Sequence, residues 1–195
     1  MSSVPRSVDI AAHIALLPRD ASVRGFFFTD ALARGRKAAP QLDLLERAGL
    51  DPERRYLPFI SYPYADYVRV VDVAARASHP SLPQGEALRR FAWSTYDLFL
   101  STQVGGAIFG MFGRDVESVL LNGARGYAVA INFGKVAARR VAERHVCVSF
   151  RDCPILLETV QVGVLEGAVK HCGATAAIDV QPRSLADADL HVRWE

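Results

Sequence analysis

Near residue 135 the spacing of apolar residues changes from the 3.6-residue period of a helix to the two-residue alternation of a strand. That switch restricts the chain to an α+β architecture. In "HVCVSF", Val146, Val148 and Phe150 share one face and His145, Cys147 and Ser149 the other. "KVAARRV" precedes it across a turn around Ala142 to Arg144, so the two predict a hairpin. Further on, Ala176, Ile178 and Val180 alternate with polar neighbours, a loop spans Pro182 to Asp187, and Leu190, Val192 and Trp194 alternate with Asp189, His191 and Arg193. Between the two pairs, "DCPILLETVQVGVLEGAVKHCG" has helical spacing at Leu157, Val160, Val164 and Ala168. Pro154 suits its first turn and Gly173 its stop, while Gly163 and Gly167, one turn apart, suit close packing on a sheet.

Before the switch the pattern is helical. Ala31 to Gly49 predicts two short helices around Pro40, with Gly49 as a stop. "SLPQGEALRRFAWSTYDLFLSTQVGG" predicts one long helix, with Ser81 and Gln84 as a capping box and Leu88, Phe91, Ala92, Tyr96 and Phe99 inward. A further helix starts from Asp115 and runs to Phe133, placing Gly123 and Gly126 in its interior at about 1 kcal/mol each. The expectation is a helical portion over about residues 8–133, then β-β-α-β-β with a four-stranded antiparallel sheet, helices on one side, all in a single domain over residues 1–195.

The balance of 23 basic to 21 acidic residues, net +2 with no dense basic run, argues against nucleic acid as a partner. Three cysteines at irregular spacing do not form a secreted disulfide framework. No apolar run reaches the roughly 18 residues of a membrane span, and the N-terminus lacks a leader pattern, so the expected location is cytoplasmic, with no membrane partner.

The stretch "RYLPFISYPYADYVRV" holds four of the six tyrosines. With Ser61 as cap and Pro63 in the first turn of a helix, Tyr64, Tyr67, Val68 and Val71 form an inward stripe. Packing accounts for that stripe, and Tyr56 and Tyr62 are left over as either core or the wall of a pocket.

Element order, together with "VRGFFFTDAL", "YPYADYVRVV", "FRDCPILLETVQVGVLEGAVKHCG" and "DADLHVRW", resembles an uncharacterised paralogous family of myxobacterial proteins of about 200 residues. By element order alone the chain also looks like the haem-nitric-oxide-binding and 4-vinyl-reductase-like sensor domains. That second resemblance implies an iron-bearing histidine on the helix before the sheet, yet Asp115 to Phe133 contains none, and no Tyr, Ser and Arg motif follows it. Haem binding of that kind is therefore not expected, and no cofactor is assigned.

His145, Cys147, Cys153, His171 and Cys172 gather in one region but lack the tight cysteine pairs of zinc sites, so no metal is assigned. Cys153, before Pro154 at a helix start, is a candidate for a dipole-stabilised thiolate, set against an ordinary capping-position thiol. "VGGAIFGMFGR" lacks the Lys and Ser/Thr ending of a phosphate loop and reads as helix packing or a turn. No catalytic residue is assigned.

The expected function is a non-enzymatic binding module or sensor for a small molecule or peptide, in a cleft between helices and sheet. Tyr62, Tyr67, Trp93 and Tyr127 are its expected walls and Arg125 its polar anchor. The alternatives are an adaptor that pairs with a protein partner through a sheet edge, and an enzyme using a thiol or metal near Cys147 and Cys153. Homodimerisation through the edge is compatible with the first alternative.

Overall fold

The computed structural model describes residues 4–109 and 114–195. Its order is α1 (Ile10–Ala15), β1 (Ser22–Arg24), α2 (Gly25–Ala38), α3 (Leu44–Arg47), β2 (Ser61–Pro63), α4 (Tyr64–Ser78), α5 (Gln84–Ala92), α6 (Thr95–Ser101), α7 (Gln103–Phe109), α8 (Val116–Leu121), α9 (Gly123–Ala130), β3 (Lys135–Ala142), β4 (His145–Arg151), α10 (Val160–His171), β5 (Ala176–Pro182) and β6 (Ala188–Trp194). The sheet is four-stranded and antiparallel, as expected, and its order is β3-β4-β6-β5. The stretch Gly110 to Gly113, within the glycine-rich segment weighed above, lies outside the described residues.

Register explains which face of the sheet the helices cover. Val146, Val148 and Phe150 on β4 lie opposite Val192, Leu190 and Ala188 on β6, and all six are buried. Helices α8, α9 and α10 pack on this sheet. The other face carries Ser149, Arg151 and Asp189, where the Ser149 hydroxyl and the Arg151 guanidinium both donate to Asp189 Oδ1 at 2.6 Å. One continuous core runs from Phe28, Val70 and Leu88 in the helices to Phe150 and Leu190 in the sheet. Among the described residues no helix is long and apolar enough to cross a membrane.

Several local expectations need correction. Ser61 does not cap a helix: Ser61–Pro63 forms β2, paired antiparallel with β1, and α4 begins at Tyr64 from an extended Pro63. Three-residue strands are too short to show a period. The Ser81–Gln84 box does not form either. Pro83 precedes α5, and the Gln84 side chain instead accepts from the Val8 amide at 3.0 Å and donates to Asp72 at 2.7 Å.

The long helix over residues 81–106 is three helices. At the second break, the Thr102 hydroxyl donates to the Phe99 carbonyl at 2.7 Å and accepts from the Gly105 amide at 3.0 Å, so one side chain closes α6 and caps α7. Asp115 does cap α8, accepting from the Ser118 amide. The helix then breaks at Asn122, whose amide donates to the Ser118 carbonyl at 2.8 Å. Gly123 is consequently the first residue of α9 and not a helix-interior glycine.

α10 begins at Val160, six residues after Pro154, because residues 152–159 form a loop in which Asp152 (φ 55°) and Leu156 (φ 60°) are left-handed. Its small face meets helix α5 and not the sheet. A Cβ on Gly163 would lie 2.1 Å from the Arg89 carbonyl oxygen, and one on Gly167 would lie 2.0 Å from that of Trp93. The Arg89 guanidinium and Trp93 Nε1 then both donate to Glu166, between those glycines, the latter at 2.8 Å.

Candidate functional site

Where the helical portion meets the sheet, the packing is incomplete. A cavity of about 120 Å³ opens there. Helical spacing aims Tyr64 and Tyr67 of α4 inward, as their sequence positions predict. Phe27 of α2 and Tyr96 and Phe99 of α6 continue that wall. Opposite stand Tyr127 of α9 and Gln161, Val164, Leu165 and Ala168 of α10, with Val148 of β4 beneath. Gly123 also lines the space, and a Cβ added there meets no atom within 4 Å.

Ring contacts hold the walls. Tyr64 sits edge-on to Phe133 at 5.0 Å, Tyr67 edge-on to Phe28 at 5.3 Å, and Tyr127 edge-on to Phe150 at 5.3 Å. The Tyr127 hydroxyl donates to Gln161 Oε1, and Gln161 Nε2 donates to the Ile155 carbonyl at 3.2 Å, which leaves this buried amide satisfied at both ends. Tyr64 and Tyr67 hydroxyls form no hydrogen bond with any of the described residues.

Burial pushes the phenols of Tyr64, Tyr67, Tyr96 and Tyr127 well above their ordinary value of 10. For Tyr67, Arg34 pulls weakly the other way. Arg34 itself is engaged: it pairs with Asp30, donates to the Phe91 carbonyl at 2.5 Å, and lies over the Phe91 ring at 3.8 Å. The cavity wall therefore offers neutral hydroxyls and no charge.

Of the residues singled out from sequence, Tyr67 and Tyr127 come together on this cavity. Tyr62 lies elsewhere, edge-on to Tyr56 at 4.8 Å, with its hydroxyl accepting from the Leu57 amide at 2.9 Å. Trp93 sits at the α5–α10 contact, bonded to Glu166 and faced by Arg90 at 4.3 Å and Lys170 at 5.0 Å. Arg125 is exposed on α9 and does not line the cavity. Gln161 escaped sequence reasoning. Its signal was a lone amide inside the apolar run from Val160 to Leu165.

The thiols and histidines occupy other places. Cys153 is fully buried in the loop before α10, its Sγ 3.8 Å from the Lys135 carbonyl, and burial pushes its pKa up. With α10 starting at Val160, no helix N-terminus acts on that thiol. His145 Nε2 lies 3.0 Å from His191 Nδ1 on the sheet face away from the helices, and His171 Nδ1 lies 2.6 Å from Asp97. Among the described residues no group of three or more His, Cys, Asp or Glu is placed to hold a metal ion.

A family model described as "Protein of unknown function (DUF2378)" matches residues 17–195, and the chain belongs to that family. No curated protein sequence matches it. Several solved structures match in fold. The H-NOX protein of S. oneidensis in the Fe(II)NO ligation state is 14% identical with a TM-score of 0.69, covering 88% of this chain and 99% of that one. A point mutant of the unliganded Fe(II) H-NOX protein of K. algicida is 9% identical with a TM-score of 0.69, covering 88% and 96%. A T. tengcongensis H-NOX point mutant is 15% identical with a TM-score of 0.67, again covering 88% and 96%. At these identities the likeness is one of fold, which by itself carries no chemistry.

Residues, then, must decide whether an iron porphyrin suits the cavity. Haem iron needs an axial imidazole, thiolate, thioether or phenolate. None of the chain's five histidines lines the cavity, and neither does any of its three cysteines. The tyrosines that do are held as neutral phenols, and no Lys or Arg faces in to balance propionates. The donor set does not fit haem.

Proposed function

We propose that this DUF2378 protein is a binding module, of sensor type, for a small molecule held between its helical portion and its sheet. The observation that carries this reading is the cavity itself, an apolar space walled by α2, α4, α6, α9 and α10 over β4 and lined by four tyrosines. Solved proteins of the same fold are described in Fe(II), Fe(II)NO and oxygen-complexed states, which supports small-ligand binding as a use of this architecture. In this reading Tyr67 and Tyr127 touch the ligand. Tyr62 and Trp93 act indirectly, through the Leu57 loop and the α5–α10 contact that they secure.

Native mass spectrometry of freshly purified protein, paired with an absorption spectrum and a metal assay, tests the proposal. Added mass that leaves on denaturation is expected, and it should be lost from a folded Gly123→Phe variant, which adds a ring at a position on the cavity wall where a Cβ meets no atom within 4 Å. Retention of the same mass by that variant would place the ligand elsewhere and refute the cavity as its site.

A further inference from the structure

The cavity's size, walls and hydrogen-bonding capacity narrow the ligand further. Resting on the binding role proposed above, we infer that the ligand is one uncharged aromatic ring bearing a single hydrogen-bonding substituent, such as a phenol, and not a metal porphyrin or an organic acid.

Size comes first. Some 120 Å³ compares with the about 150 Å³ of an engineered apolar cavity that takes benzene, so the space suits one ring and a small substituent. The walls are suited to a ring as well. Phe27, Tyr67, Phe99 and Tyr127 surround the space, and aromatic groups gain from edge-to-face contact beyond the area they bury.

Polarity sets the substituent. Thr95 and Tyr96 also stand on the wall; of its other hydrogen-bonding groups, Tyr127 and Gln161 are committed to one another, and the second Gln161 group is committed to Ile155. Tyr64 and Tyr67, three residues apart on α4, keep their hydroxyls without a partner among the described residues. Neither oxygen is sealed from accessible space, so a ligand hydroxyl that reaches both can take them as hydrogen-bond partners. A carboxylate would find no Lys or Arg in this wall, and Arg34, whose charge reaches Tyr67, is held by Asp30 and the Phe91 carbonyl. An anion would therefore be buried unpaired.

Binding of p-cresol, toluene, benzoate and haemin to the full chain at pH 7, by equilibrium dialysis for the first three and absorbance for the last, tests the inference. p-Cresol is expected to bind at one site per chain, with benzoate at least about tenfold weaker. Changing Tyr64 and Tyr67 together to Phe should weaken p-cresol roughly five- to tenfold while leaving toluene within about twofold. Gly123→Phe, or Val164→Trp should the first not fold, should abolish both. Benzoate binding as tightly as p-cresol would overturn the assignment of an uncharged ligand, as would stoichiometric haemin binding that Gly123→Phe removes; either would leave the cavity as the binding site. Indifference of p-cresol binding to the double Phe variant would overturn the role of the α4 hydroxyls. No binding of any of the four would overturn this inference, and absence of added mass from the purified protein as well would remove the binding role itself.

Discussion

Replacing Gly167 by alanine tests the close contact between α10 and the end of α5. The added Cβ would lie 2.0 Å from the Trp93 carbonyl oxygen, 2.9 Å from its carbon and 3.2 Å from its Cα, where real Cβ atoms essentially never come closer than 3.0 Å. The obstructing atoms are backbone, so no rotamer change relieves the clash. α5 must move by about 1 Å, and that motion pulls Arg89 and Trp93 away from Glu166. Alanine gains about 1 kcal/mol of helix propensity over glycine. Overpacking costs about 1–3 kcal/mol, and a backbone obstacle places this site at the upper end. The net expectation is a loss of about 2 kcal/mol, or roughly 4–8 °C in Tm for a domain of this size. Urea unfolding followed by circular dichroism reads it. Gly123→Ala is the control, because its Cβ meets nothing within 4 Å and it opens α9, and it should change stability by no more than about 0.5 kcal/mol. A Gly167→Ala protein as stable as wild type would refute the reasoning.

Further expectations concern charge, hydrogen bonds and thiols. Burial alone would raise the Asp189 carboxyl, but the Ser149 hydroxyl and the Arg151 and Arg183 guanidinium groups outweigh it and hold the pKa at about 2, below its ordinary 3.8. A depressed folded-state pKa contributes stability above about pH 4 that disappears as pH falls towards 2. Asp189 should account for about 2 kcal/mol of that acid loss, and Asp189→Asn should flatten stability against pH across that window. Tyr127→Phe leaves the buried Gln161 Oε1 without its donor and should cost about 1–2 kcal/mol in chemical denaturation. Pulsed alkylation at pH 8 should modify the partly exposed Cys172 first, and Cys147 and Cys153 only on unfolding. Modification of Cys153 first would instead indicate an activated thiol.

Elements long enough to show a period are legible in the amino-acid order alone. The seven residues each of β4, β5 and β6 alternate, and the glycines at 49 and 173 end their helices with φ of 70° and 85°. Asp115 announces its helix because a cap is a local hydrogen bond. Tyr67 and Tyr127 were identifiable as inward aromatics, since helical spacing needs no knowledge of what lies across from it. Partners distant in the chain are another matter. Only the tertiary structure decided that Gly163 and Gly167 face α5, that Tyr62 braces the Leu57 loop, and that Trp93 bonds to a carboxylate 73 residues away. Likewise Gln161 pairs with Tyr127 across 34 residues, and the broken helices at Asn122 and Thr102 leave the space their rings surround. Local pattern records which face of an element is apolar. Whether two such faces meet closely or leave a cavity depends on the summed shapes of side chains from separate elements, and that is settled only when they pack.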